Sequence, residues 1–327
     1  MSMTGRRTSY VVSSHIQSLL GKFGIFIFPI LLFALASVIS PSFIRIQNLK
    51  DILNISASLG MVSIGQTFVI LIGGGGLDLS VASVMSTSAV IMAYKSAGQD
   101  SLFLPVMGVC LVFGIIVGSL NGLLIVKRRV QPFMATLGMM IIIQGLRFLL
   151  TNGMPVGSFP PLLRFLGTGS IGPIPTSVFS LIIVTGIALF VLRKTTLGRQ
   201  IYAIGGNIHA ARLCGYNTGL IITVAYVISG FMAAVAGLYL AGWIGVSDNW
   251  VGKGYEMDSI AAVVMGGTTF EGGRGGVIGT IAGVLIIIML YNLVLLLQIP
   301  VQVQYIVKGA VIIVAASFYA IFRKKTV

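Results

Sequence analysis

A chain of 327 residues that is 56% hydrophobic and only 9% charged is not a water-soluble domain, in which roughly 25% of residues carry charge. Its formal charge of +14 does not point to nucleic acid, because there is no soluble face on which a basic patch could form. Two cysteines set apart, Cys110 in an apolar run and Cys214 in a basic loop, exclude a disulfide framework. His15 and His209, far apart and without Cys or carboxylate neighbours, give no metal-site signal.

Residues 1–22 form a polar leader with Arg6, Arg7 and Lys22. A first span of about 23–40 ends before Pro41; Ala34-Leu35-Ala36 mimics a signal-peptidase site, but the apolar run approaches spanning length and is expected to be retained. The second span, about 53–72, carries Ser56, Gly60, Ser63 and Thr67 at helical spacing, with Gln66 beside them. A polar stripe of this kind faces protein or a water-filled path in a bilayer.

Gly73 to Gly76 then break the helix, and Leu77-Asp78-Leu79-Ser80 opens a short third span, about 79–94, with Asp78 expected as its N-cap. The fourth span, about 102–126, has Gly114, Gly118 and Gly122 four apart, a ridge for close helix packing. Lys127-Arg128-Arg129 ends it. The fifth, about 131–151, contains Gln144 and Arg147; a Gly/Pro-rich loop, 152–175, and a sixth span, about 176–192, follow.

The polar segment 193–218 interrupts this pattern with Arg193, Lys194, Arg199 and Arg212 and no acidic residue. Its second half predicts a short helix, with Asn207 as N-cap, Gly215 at the left-handed C′ position, and Arg212 in the last turn where the dipole favours a cation. Ile208, Ala211 and Gly215 share a face, and Ala210 and Cys214 keep its flank small. Such a helix either docks into another protein or is an ordinary basic loop.

The seventh span, about 219–243, leads to an aromatic loop with Trp243, Trp250, Tyr255 and Glu256. Residues 259–265 are apolar but too short for an ordinary span. Gly266 to Gly276 follow, including Thr268, Glu271 and Arg274, then a ninth span, about 277–297, and a tenth, about 303–322, closed by Arg323-Lys324-Lys325. Ten crossings place 14 of the 21 Lys and Arg inside when both termini are cytoplasmic, against 5 outside. The expected fold is therefore an all-α polytopic membrane protein of about ten helices, some short or broken, forming one domain over 1–327.

The glycine breaks at 73–76 and 266–276 sit in corresponding places in the two halves. They either line a midplane pathway of broken helices or are tight turns. Ser56, Ser63, Gln66, Thr67, Asp78, Ser80 and Thr268 are the candidate pathway residues. No phosphate-cradling G-x-x-x-x-G-K-[ST] occurs, so the chain cannot itself hydrolyse ATP, and no catalytic constellation is present. A membrane carboxylate set for an ion-coupled carrier is thin, because Asp78 is the best-placed candidate.

The run Leu197-Gly198-Arg199-Gln200-Ile201-Tyr202-Ala203-Ile204-Gly205-Gly206-Asn207, followed by Ala210-Ala211-Arg212-Leu213-Cys214-Gly215, closely resembles the cytoplasmic motif of membrane subunits of ABC importers for ribose, xylose, galactose and related sugars. Gly75-Gly76-Leu77-Asp78-Leu79-Ser80-Val81 and Gly266-Gly267-Thr268-Thr269-Phe270-Glu271-Gly272-Gly273-Arg274-Gly275 are similar to that family's other two motifs, in the same order. Leu77 and Ala82 replace the usual Ile and Gly. The resemblance implies a ten-span permease in the bacterial inner membrane that pairs with a second permease chain and receives sugar from an extracytoplasmic binding protein. It also implies docking to ATP-binding subunits through Gly198, Arg199, Asn207, Ala210, Ala211, Arg212 and Gly215. ATP and Mg would sit on those partners, with no cofactor on this chain. The alternative is a stand-alone ion-coupled carrier or channel for a small polar solute.

Overall fold

The structure, a computed structural model, describes residues 26–300 and, beyond them, 302, 303, 306, 309 and 310. The polar leader, most of the expected tenth span and the basic C-terminal cluster lie outside the described residues. After α1 (Phe26–Ile39) and a 3-10 turn at Pro41–Ile44 come α2 (Ile46–Leu71), α3 (Val81–Ser96), α4 (Phe103–Lys127), α5 (Pro132–Thr151), α6 (Pro161–Thr168) and α7 (Thr176–Lys194). Then follow α8 (Thr196–Gly206), α9 (Ile208–Leu213), α10 (Thr218–Ile244), α11 (Tyr255–Met265) and α12 (Val277–Leu296).

Among the described residues, six helices are long and apolar enough to cross a membrane: α2, α4 with the turn before it, α5, α7, α10 and α12. Helices α1, α3 and α11 are shorter. Two pieces of the expected long loop are ordered elements that its Gly and Pro content concealed: α6, opened by Pro161 at N1, and a two-residue hairpin pairing Ser170–Ile171 with Ile174–Pro175.

Helix α2 is the centre. It is buried along most of its length and packs on α10, α12, α7 and α11. The Gly114–Gly122 ridge of α4 lies on α10 backbone to backbone: a Cβ at Gly118 would stand 2.2 Å from the Tyr226 carbonyl oxygen. By contrast α5 and α7 are mostly exposed and show Leu149, Leu150, Ile182 and Ile183 outward. Apolar belts of this extent fit hydrocarbon rather than water.

Charge divides the two ends. Around α8 and α9 lie Lys127, Arg128, Arg129, Arg193, Lys194, Arg199, Arg212 and Arg274, with Glu271 as the matching carboxylate. At the other end Arg45, Lys50, Lys95, Arg164 and Lys253 are balanced by Asp51, Asp100, Asp248, Glu256 and Asp258. Arg147 is buried within α5, where its Nη1 donates to the Ser83 carbonyl and to Thr87 Oγ1, each at 3.3 Å.

Candidate functional site

The polar stripe of α2 packs inside this chain, between α7 and α12. Ser56, Ser63, Gln66 and Thr67 are all buried. Thr67 Oγ1 shares a hydrogen bond with Thr280 Oγ1 of α12 at 2.7 Å, and Ser177 of α7 donates to Asn54 Oδ1 at 2.6 Å. Between those two links the hydroxyls of Ser56 and Ser63 have no hydrogen-bond partner. Gly60, halfway along, receives Leu181 of α7, whose Cδ1 stands 2.7 Å from where a Cβ would be. The result is a narrow seam of hydroxyls, filled at its middle by an aliphatic side chain.

At the C-terminal end of α2 the chain breaks. Gly73, Gly74 and Gly75 all adopt positive φ, which only glycine does without strain. The segment beyond is held by side chains rather than by helix bonds. With its amide oriented to suit, Gln66 accepts from the Asp78 N–H at 3.1 Å and donates to the Asp78 carbonyl at 3.3 Å. Tyr226 of α10 donates to the Leu77 carbonyl at 3.3 Å.

Asp78 does not cap α3; this corrects the expectation from sequence. The helix begins at Val81, its N-cap position is Ser80, and the Ser80 side chain makes no capping bond. Asp78 lies two residues before that N-cap position and bonds no amide of α3. It instead accepts from Ser80 N–H at 3.0 Å, Ser80 Oγ at 2.6 Å and, through its second oxygen, Ser229 Oγ of α10 at 2.7 Å. Asn121 of α4 donates to Ser80 Oγ at 2.9 Å, so α10 reaches the carboxylate directly and α4 reaches it through Ser80. Asn121, Ser229 and Tyr226 were missed in the sequence, where each is an isolated polar group in an apolar run.

The second glycine turn touches the first. Gly273 N–H donates to the Leu71 carbonyl at 2.8 Å, satisfying an acceptor that the end of α2 leaves open. Buried Thr268 ties the turn together by accepting from Gly276 N–H at 3.2 Å. A cavity of about 400 Å³ lies beside this contact, lined by Gly73, Gly74, Gly206, Asn207, Tyr226 and Glu271 among others.

Helices α8 and α9 close this end. Sequence periodicity gave α9 but not α8, whose Ile201 and Ile204 bury against Phe68, Leu71 and Val277. The caps of α9 form as expected: Asn207 Oδ1 accepts from His209 N–H at 2.9 Å and Ala210 N–H at 3.0 Å, and Gly215 has φ +82°. Replacing Asn207 with alanine is expected to fray α9 by about 1 kcal/mol. Faster amide exchange over 208–213 with unchanged exchange in α10 would show it.

The docking face expected from the small residues is corrected. Ala211 is buried against the body of the protein and Gly198 against the end of α7, because small side chains are what let α8 and α9 lie flat on the helices beneath. Arg199, Asn207, Ala210, Arg212 and Gly215 are exposed, and so is Leu213, at 90%. Arg212 Nε also donates to Thr218 Oγ1 at 3.2 Å, tying α9 to α10. Burial keeps the Tyr202 phenol above its ordinary pKa, with Arg193 pulling it partly back. It therefore remains a donor at neutral pH, to the Gly275 carbonyl at 2.9 Å.

Broken helices around a buried polar seam, an apolar outer belt and a basic helix pair at one end define a multi-pass membrane transport protein. The chain belongs to the family described as branched-chain amino acid transport system / permease component, whose model matches residues 48–316. It is thus a permease component and not itself an enzyme. It is 38% identical over 294 residues to the ribose import permease protein of Haemophilus influenzae, covering 89% of this chain and 90% of that one. It is 36% identical to the ribose import permease protein of Bacillus subtilis, covering 92% and 93%. The galactofuranose transporter permease protein of Escherichia coli is 37% identical, over 80% of this chain and 76% of its own. No solved structure is significantly similar to this chain.

Proposed function

We propose that this chain is the membrane subunit of an ABC importer for a ribose-like monosaccharide, moved by alternating access across the bacterial inner membrane. The family description names branched-chain amino acids and the relatives' names read sugars. The sugar reading is favoured by identities of 36–38% over about nine-tenths of both ribose permease chains. A seam of hydroxyls and amides also suits a neutral polyhydroxylated solute better than a zwitterion. All of 1–327 would form one permease domain, with an extracytoplasmic binding protein delivering sugar and a second permease chain completing the path. ATP and Mg would sit on partner chains, with no cofactor held here. The basic end carrying α8 and α9 would face the cytoplasm, as would both termini.

The observation that carries the reading is α9: capped at both ends, seated on the body through Ala211, and presenting Leu213 almost fully exposed on a basic surface. An isolated leucine exposed so fully beside Arg212 at the basic end suits an apolar pocket with an acidic rim. We expect Leu213→Glu to lose most copurification of a coexpressed ATP-binding chain, with membrane insertion unchanged, and raised salt to weaken docking of the unaltered chain. D-ribose with its binding protein is expected to raise ATP turnover of the reconstituted complex. Uptake that proceeds without any ATP-binding chain and collapses with a protonophore would instead establish a stand-alone carrier.

A further inference from the structure

The end of α8 meets both glycine turns at one point. A Cβ at Gly205 would lie 2.0 Å from the Leu71 carbonyl oxygen and 2.3 Å from the Gly273 nitrogen, so α8 sits on the hydrogen bond that joins the two turns. A Cβ at Gly73 would lie 2.2 Å from the Glu271 carbonyl oxygen, and one at Gly273 would lie 2.7 Å from the Gly206 nitrogen. Three stretches far apart in sequence thus touch through backbone alone. One turn earlier on α8, the Tyr202 hydroxyl holds the Gly275 carbonyl.

Backbone contacts of this kind have no side chain between them to absorb movement by changing rotamer. Close-packed groups shift as a body or not at all. The first break has room to follow, because nothing lies within 4 Å of a Cβ at Gly74 or Gly75 and the 400 Å³ cavity opens beside them. Helix α8 continues directly into α9 through Asn207, which is at once the C-cap of one and the N-cap of the other. Displacement of α9 therefore has a rigid route to Leu71 and Gly273, with Asp78 and its network seven residues beyond Leu71.

We propose that Tyr202 and Gly205 are positioning residues that make the two glycine turns move as one when the partner on α9 moves. Tyr202 pulls on the second turn and Gly205 bears on the bond between the turns. This rests on the reading of α9 as the docking helix.

The test uses the complete complex of this chain, its ATP-binding chain and its binding protein, reconstituted in vesicles. Tyr202→Phe removes one hydroxyl without changing the shape of α8, and Gly205→Ala wedges the joint; Gly186→Ala, on α7 with nothing within 4 Å, is the control. The readouts are radiolabelled D-ribose taken up per ATP hydrolysed, and the ATP-dependent change in amide exchange over 266–276, which needs no substrate. Tyr202→Phe is expected to lower the uptake ratio several-fold and to shrink the exchange change by more than half, with assembly and basal ATP hydrolysis kept. A wild-type ratio and a wild-type exchange change in Tyr202→Phe would overturn the proposal, whether or not Gly205→Ala assembles. Failure of the unaltered chain to hold an ATP-binding chain would overturn the docking reading first and this joint with it.

Discussion

Replacing Gly118 with valine is expected to remove most of the folded protein from the membrane. The site has no room: a Cβ there would stand 2.2 Å from the Tyr226 carbonyl oxygen and 2.8 Å from the Val227 Cα, both backbone atoms of α10. No rotamer relieves such a clash, so α4 and α10 must separate. Overpacking a core usually costs about 1–3 kcal/mol when side chains can adjust, and here they cannot. The separation would also draw Tyr226 from the Leu77 carbonyl, Ser229 from Asp78 and Asn121 from Ser80, loosening the break from two sides. Fluorescence-detected gel filtration of detergent extracts is the measurement. Gly108→Val is the control, because it lies on the same helix with nothing within 4 Å and should elute as the unaltered protein does. A monodisperse Gly118→Val peak of normal height would show that the helices are less closely engaged.

What could be read from the sequence depended on how local the cause was. Apolar runs of spanning length are set by the bilayer, so α2, α4, α5, α7, α10 and α12 fall where the runs do. The glycine ridge of α4 and the Asn207 cap of α9 are likewise local patterns with one physical use. The direction in which a small residue faces is not local. Ala211 and Gly198 announced close approach, but nothing in the sequence said that the surface approached was this protein's own. Helix α8 was hidden by the Gly205-Gly206 pair that ends it, although Ile201 and Ile204 already showed its buried face.

The glycine breaks show the same division. Four glycines in a row announce a turn, and the structure puts three of them at positive φ. What the turn is fastened to lies elsewhere in the chain: Gln66 one helix back, Tyr226 and Ser229 on α10, Gly273 in the second turn. The spacing Asp78-Leu79-Ser80 suggested a cap because the start of α3 was placed two residues early. Shifting that start to Val81 turns the same aspartate from a terminal residue of one helix into a tie between the break and α10, with Gln66 holding its backbone.

Asp78→Leu is accordingly expected to cost more than a lost cap, which is worth about 1 kcal/mol. The carboxylate receives three hydrogen bonds in a site with no solvent exposure. Leucine would leave the Ser80 N–H and the Ser80 and Ser229 hydroxyls to find other acceptors in an apolar surrounding. Each buried polar group left without a partner costs about 1–3 kcal/mol. The Ser229 hydroxyl can turn to a helix carbonyl one turn back, as Thr67 does with the carbonyl of Ser63, whereas Ser80 follows a non-helical stretch and its amide cannot turn. The net loss is therefore on the order of 3 kcal/mol, visible as a lowered unfolding temperature of the detergent-solubilised protein. Asp78→Asn keeps one oxygen for Ser80 and turns an amide N–H toward Ser229, whose hydroxyl can accept as readily as donate. Its stability should stay close to that of the unaltered chain. Uptake separates fastening from transport: if Asp78→Asn assembles normally and carries D-ribose normally, the carboxylate serves to hold the break. If it assembles normally but carries nothing, the negative charge itself takes part in moving the solute, and a purely structural role for Asp78 is wrong.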